Sequence, residues 1–412
     1  MHQKHRGRNA IGIMYAFNFL KNLQFFGALT VPFFLHRAGL DYTRMFLLEA
    51  CFSFGMIVLE IPTGVVADRF GRKFSLISGC IAFAGGFFLF GITVNYSLLL
   101  AGELICALGM SLISGADRAL LYEVLKDSGN ETKAAEINAR YDAAGSIALF
   151  LAFPAGTLFA SSGWIPYTDA LGLVMTATAA MIILGGTVLF WIREPARVRN
   201  AGSALRAGVD GFRYIFRIPS LTRFCLNYAI ISALTFFMFW FYQSLLIENR
   251  FPIAGQGFVA AGFNIGAMIL LLSTGIIKKR IGIRQALFLS SLIPGLLYLG
   301  IFFIPGLPMA FAGIFGVTML KMFRAPMLTA LMNTHIDSTN RATVLSGVSM
   351  LERMVTTAFY PLAGILTDRS LKWTFLVMGT VTVIASLLLR VDEEHLNGGQ
   401  GGKPQAPTNP LI

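Results

Sequence analysis

Charged and amide side chains inside long apolar runs are where this chain could do chemistry. Lys21 sits in the first run, with Asn18 and Asn22 flanking its face. Asp117 and Arg118 fall in the inner third of the fourth run, and Glu60 in the inner third of the second. Lys321 and Arg324 are three residues apart, which places them on one helix face, and Glu352 and Arg353 lie in the middle of a later run. An ionised group at the centre of a bilayer costs roughly 2.5–3.5 kcal/mol on insertion scales, and it persists where it faces a wet cavity or a partner. Ammonium and guanidinium groups in such a cavity can hold an anion, and carboxylates can neutralise them. The alternative is a set of ion pairs that lock helices together. That alternative weighs equally for Glu352 with Arg353 and for Asp117 with Arg118, whereas Lys21 and Lys321 favour the cavity. Trp240 and Gln243 share a face of an aromatic run, Phe236–Tyr242, that could wall a site for an apolar or ring-bearing molecule; lipid-facing packing accounts for most of those rings equally well.

The elements that must position these groups are membrane helices. The 412 residues are 55% hydrophobic and 13% charged, with mean hydropathy +0.67, about half the charge of a soluble domain. A span needs about 20 apolar residues, and backbone groups in hydrocarbon must bond within their own helix. Spans are expected at residues 11–35, 44–66, 74–94, 97–125, 138–160, 170–192, 224–247, 256–277, 285–304, 308–333, 342–366 and 373–390. Twenty-three of the 33 Lys and Arg residues fall on the side of the N-terminus and five on the other. That bias puts both termini in the cytoplasm and explains the net charge of +12 without nucleic acid. The basic N-terminus leads into a retained first helix, its apolar stretch being too long for a signal-peptide core. Cys51, Cys80, Cys106 and Cys225 are scattered singly with no metal spacing, so they read as packing residues.

Residues 193–223 form the longest polar stretch before the tail and divide the chain into an N-terminal half, 1–192, and a C-terminal half, 224–390. Within that linker Leu205, Val209, Phe212 and Phe216 recur at helical spacing beside Arg206, Arg213 and Arg217, the pattern of a basic amphipathic helix at the membrane surface. Residues 391–412 are polar, contain Gly and Pro, and read as a disordered cytoplasmic tail. Between spans 2 and 3 stands Gly64-x-x-x-Asp68-Arg69-x-Gly71-Arg72-Lys73, and the halves repeat it. After span 8, Gly275, Arg280, Gly282 and Arg284 match Gly64, Arg69, Gly71 and Lys73 at identical spacing, while Lys279 stands for Asp68 and Ile283 for Arg72. Arg118-Ala is echoed by Arg324-Ala. Internal repeats of this kind mark many transporter folds.

The ten-position pattern, with six fixed residue types between two spans, closely resembles the loop between helices 2 and 3 of the major facilitator superfamily. The resemblance covers essentially the whole chain up to Arg390. It implies an all-α membrane protein of twelve transmembrane helices in two pseudo-symmetric six-helix bundles, with helices 1, 4, 7 and 10 lining a central cavity. Asn18, Lys21, Asn22, Asp117, Arg118, Trp240, Gln243, Lys321, Arg324, Glu352 and Arg353 are then the candidate substrate or coupling-ion residues. In the family the motif acid contacts the start of helix 11, here near Asn340–Ala342, and the motif arginine pairs with an acid at the inner end of helix 4. Arg72 matches that arginine, Glu123 is the candidate acid, and the second half lacks the acid, so the latch is expected to be one-sided. Export signals are weak: drug antiporters of the family often carry an Arg in the outer half of helix 4, where this chain has Glu103, and the Gly- and Pro-rich helix 5 motif is degenerate at Gly145 and Phe153-Pro-Ala-Gly156.

The expected function is a secondary transporter of a small organic molecule, an exporter coupled to an ion, most simply the proton, working by alternating access as a monomer in a bacterial inner membrane. Uptake or facilitated transport of an organic anion, and a non-transporting receptor or lipid-handling protein on the same fold, are the alternatives. Enzyme readings find little. There is no His-Glu-x-x-His, Gly347-Val-Ser-Met-Leu351 lacks the closing Gly of a nucleophile elbow, and there is no phosphate-binding Gly-Lys-Ser/Thr loop. No cofactor or metal is expected.

Overall fold

The computed structural model describes residues 2–194, 204–217, 219–335 and 338–390; the tail 391–412 and linker residues 195–203 lie outside them. The chain begins with helix α1 (His2–Lys21) and the short α2 (Thr30–Pro32). It continues through α3 (Tyr42–Phe70), α4 (Arg72–Ile92), α5 (Tyr96–Ile113), α6 (Ala116–Asp127), α7 (Ala134–Ala160) and α8 (Tyr167–Val188). Helix α9 (Ala204–Arg217) links the halves. The second half holds α10 (Pro219–Phe236), α11 (Met238–Glu248), α12 (Ile253–Leu272), α13 (Thr274–Phe303), α14 (Leu307–His335), α15 (Ser338–Arg369) and α16 (Leu371–Leu388). Nine helical stretches among the described residues are long and apolar enough to cross a membrane. Joining the pieces across short breaks gives twelve successive rods.

The first rod is not the continuous 11–35 helix that hydropathy suggests. Helix α1 stops at Lys21, and the chain turns through residues 22–29 before resuming. Asn22 donates from Nδ2 to the Asn18 carbonyl at 2.7 Å and to Asn18 Oδ1 at 2.9 Å. A short amide that bonds a nearby carbonyl offers the backbone an alternative to the helical ladder. The freed peptide groups find partners elsewhere: Phe25 N donates to Thr178 Oγ1 at 3.1 Å, Gln243 Nε2 to the Gly27 carbonyl at 3.2 Å, and Val31 N to Gln243 Oε1 at 3.0 Å. Irregular backbone at membrane depth is tolerated only where protein supplies such partners. The fourth rod also breaks, between α5 and α6, at Ser114–Gly115, where Gly115 has φ +78°. The seventh breaks at Phe237, between α10 and α11.

The two repeat loops turn on matching glycines. Gly71 separates α3 from α4 with φ +112°, and Gly282 kinks α13 with φ +75°. A side chain would strain either position, which is why the repeat keeps glycine there while its charged positions diverge.

Within the N-terminal half, α4 packs against α5 through small residues: an ideal Cβ on Gly109 would fall 2.3 Å from Phe83 N, and one on Gly86 2.6 Å from the Gly102 carbonyl. Close backbone approach of this kind holds membrane helices together where no hydrophobic drive operates between them. The halves meet along α3 with α15 and α7 with α12. Hydrogen bonds between halves, among the described residues, gather toward the end opposite the motif loop. There Asp368 accepts from Tyr42 N at 2.7 Å and Thr43 N at 2.8 Å, Tyr42 Oη donates to Ser244 Oγ at 2.8 Å, and Thr157 Oγ1 donates to the Ala254 carbonyl at 3.2 Å. Nearer the motif end the halves are joined by Arg353 Nη1 to Glu60 Oε2 at 3.3 Å.

Helix α9 lies against α15, with Ile215 buried beside Val344 and Val348, and Gly347 seated on Gly211 and Phe212. Arg213, Phe216 and Arg217 are exposed. The side chains of Leu205, Arg206 and Val209 lie outside the described residues.

Candidate functional site

A cavity of about 660 Å³ lies between the halves. The broken first rod contributes Gln24, Phe26, Gly27, Thr30 and Phe34 to its wall; α4 adds Phe83, Phe87 and Phe90; the C-terminal half adds Phe236, Phe239, Trp240, Lys321, Glu352, Arg353 and Tyr360. Volume and aromatic lining match sites that take small organic molecules.

Four of the residues singled out from sequence, Trp240, Lys321, Glu352 and Arg353, line this cavity. Lys321 Nζ lies 4.4 Å from the centre of the Phe236 ring, with Glu352 near enough to act on it electrostatically. Glu352 accepts from Ser232 Oγ. Arg353 is held by Glu60.

The other seven do not line this cavity, and Lys21, expected to face one cavity with Lys321, has an acid beside it. Lys21 Nζ is 3.2 Å from Asp117 Oδ2, and Tyr141 Oη donates to the same oxygen at 3.2 Å. A buried ammonium with a carboxylate on the neighbouring rod is drawn to it, because the pair recovers Coulomb energy that a solitary charge forfeits. Asn18 donates to the Tyr141 carbonyl at 2.6 Å and Asn22 turns back on Asn18, so both are used in shaping the break. Arg118 faces away, to Asp142 and, at 3.2 Å, to Asn138 Oδ1. Arg324 is buried and donates to Asn227 Oδ1 and to the Leu287 carbonyl at 3.1 Å, tying three rods of its own half. Gln243 is spent on the backbone of the first rod, joining the halves toward the end opposite the motif loop.

At the motif loop, Arg72 Nε lies 3.6 Å from Glu123 Oε1, and Arg72 Nη2 3.4 Å from Asp68 Oδ1. Its backbone N–H donates to Glu194 Oε1 at 2.6 Å, so the start of α4 is capped by an acid from the end of the sixth rod. Lys73 Nζ donates to the carbonyls of Phe190 at 2.9 Å and Ile192 at 2.8 Å, closing that same end of the sixth rod. Arg69 lies with its guanidinium 5.6 Å from the Phe70 ring centre. An ideal Cβ on Gly64 would meet nothing within 4 Å, so its lack of a side chain is not required by packing in this conformation. In the second half Lys279 and Arg280 are exposed. The side chains of Asn340, Arg341 and Ala342 lie outside the described residues.

Two acids on the cavity wall were missed or misread from sequence. Glu49, in the run Phe46-Leu-Leu-Glu-Ala-Cys51, and Glu103 are 9% and 5% exposed and both line the cavity. The sequence carries the signal: Glu49 is an ionisable residue inside an apolar run, as Lys21 is, and Glu103 is a second one in the fourth run. Among the described residues no three potential metal ligands come together, and all four cysteines carry free thiols.

Two helical bundles facing each other across an aromatic cavity, with a charged turn between the second and third rods, define a membrane transporter fold. A sequence profile of the Major Facilitator Superfamily matches residues 11–351, and the chain belongs to that family. Solved structures agree on the fold. A nucleoside transporter superposes with TM-score 0.77 at 13% identity, covering 92% of this chain and 98% of its own. A bacterial homolog of the human lysosomal transporter Spinster, in an inward-facing and occupied conformation, gives 0.75 at 15% identity, covering 94% and 97%. A D-xylose–proton symporter gives 0.72 at 14%, covering 93% and 96%. No curated protein matches the chain in sequence.

Proposed function

We propose that the chain is a secondary active transporter that exports a small organic molecule by alternating access, coupled to protons, acting as a monomer in a bacterial inner membrane. The observation that carries this reading is the cavity between the halves, which are joined beyond its far end by the Gln243, Asp368 and Thr157 hydrogen bonds. A site walled by both halves, with the halves bonded together at one end, is what one of two alternating states requires. The bonded end is read as the outer one, so this conformation takes substrate from the cytoplasmic side. The motif latch at Arg72 and Glu123 then stabilises the N-terminal bundle at the inner face. The family relationship speaks for a transporter rather than an enzyme. A second reading, uptake of an organic anion, draws on Lys321 in the cavity wall.

Flux decides between them. In proteoliposomes with an imposed proton gradient, accumulation of an amphipathic dye against its own gradient, dissipated by a protonophore, is expected. Movement of organic anions alone, insensitive to the proton gradient, supports the second reading. Absence of any solute flux from correctly inserted protein leaves a receptor and overturns transport.

Orientation has its own test. A cysteine at exposed Arg217, in a variant without native thiols, is expected to react with an impermeant maleimide only after intact cells are permeabilised. Reaction from outside would reverse the topology.

A further inference from the structure

Glu49 on α3 and Glu103 on α5 are more than nine-tenths buried, line the cavity, and make no hydrogen bond or ion pair with any described residue. They lie close enough to act on each other, and both act on Cys106 and Tyr360. Removing one carboxylate from water costs several kcal/mol unless it is paired, and a second negative charge beside it adds to that cost. The cavity's own cations do not supply the pairing. Arg353 is taken by Glu60, and Lys321 lies on the Phe236 ring beside Glu352. Among the other titratable groups near the two acids are Cys51, Cys106 and Tyr360, none of them a cation. The wall of the same cavity carries Phe34, Phe83, Phe87, Phe90, Trp240 and Tyr360. Aromatic faces attract cations, more strongly where water is excluded.

Unpaired carboxylates within an aromatic wall are complementary to a lipophilic cation. We propose that Glu49 and Glu103 form the site for an organic monocation with an apolar or aromatic body, and that the cation and a proton exclude each other there. This rests on the transporter reading and names its substrate class. Charge balances in the exchange: the cation enters the pair, and the proton it displaces leaves to the water of the cavity. With one proton held by the pair throughout, either occupant neutralises the remaining carboxylate, which is the coupling an exchanger needs.

The probe is tetraphenylphosphonium, titrated into the purified full-length protein in detergent. Its affinity is expected to fall about tenfold per unit as pH is lowered through the titration of the pair, and binding in weak buffer is expected to acidify the solution. Glu49→Gln and Glu103→Gln should each raise Kd at least tenfold, and the double variant should abolish both binding and acidification. Because these changes remove an unpaired buried charge, the melting temperature should hold or rise. Tetraphenylborate, an anion of the same shape, should bind independently of both acids. The proposal is overturned if tetraphenylphosphonium does not bind, if its affinity is independent of pH, or if the monodisperse double variant binds it like the parent. The pH titration of the parent alone decides the matter should the variants fail to fold. Loss of binding removes this substrate class and leaves transport standing; intact binding without flux in proteoliposomes removes transport instead.

Discussion

Lys21→Met is expected to be among the most destabilising single substitutions in the N-terminal bundle, at about 3–5 kcal/mol. Lys21 and Asp117 have side chains only 11% and 14% exposed, 3.2 Å apart. Deleting the ammonium leaves a carboxylate with the Tyr141 hydroxyl as its remaining side-chain partner. It also removes the cation lying 5.1 Å from the centre of the Phe17 ring. Asp117→Asn should cost a comparable amount. The double variant Lys21→Met, Asp117→Asn should cost clearly less than the sum, with a coupling of about 1–3 kcal/mol, because neither charge is then stranded. Unfolding of the three variants in detergent, followed by size exclusion after heating, measures this. Strict additivity would show that the pair is not a unit. A variant of unchanged stability that loses substrate affinity would return Lys21 to the cavity.

Gly257→Val is expected to act on the conformational equilibrium rather than on folding. An ideal Cβ at Gly257 on α12 would fall 2.3 Å from the Phe153 carbonyl and 2.4 Å from Thr157 Oγ1, both on α7 of the other half. Overpacking costs about 1–3 kcal/mol. A clash across the interface between two bundles can be relieved by parting them, which a transporter does in its cycle; a clash inside one bundle cannot. Gly257→Val should therefore populate the state open at the far end by about 5–150-fold more, the range equivalent to 1–3 kcal/mol. A cysteine at Ser53, a cavity residue, reports it through faster labelling from outside intact cells. Gly109→Val is the control. Its Cβ would meet Phe83 backbone within the same half, so it should lower stability without accelerating labelling. Unchanged labelling in well-folded Gly257→Val would show that the α7–α12 contact does not gate the far end.

The sequence by itself determined the membrane class, the succession of rods to within a few residues, the two-half repeat and the family. Those follow from local or periodic features: hydropathy over about 20 residues, glycines that a tight turn demands, and charges that cannot enter hydrocarbon. The pairing of Arg72 with Glu123 was legible through the family resemblance, which matches an arginine of the loop to an acid at the motif-side end of α6. The tertiary structure alone decided which buried charges find one another. Lys21 and Lys321 look equivalent along the chain, yet a carboxylate on the neighbouring rod takes Lys21, while Lys321 is left on a ring in the cavity wall. Glu49 and Glu103 are 54 positions apart, and nothing in their spacing announces that they meet. The break after Lys21 was equally hidden, because it depends on Thr178 and Gln243 arriving from distant rods to satisfy the freed backbone. Burial of a charge is decided by partners, and partners come from the packing of rods, which periodicity within one rod does not encode.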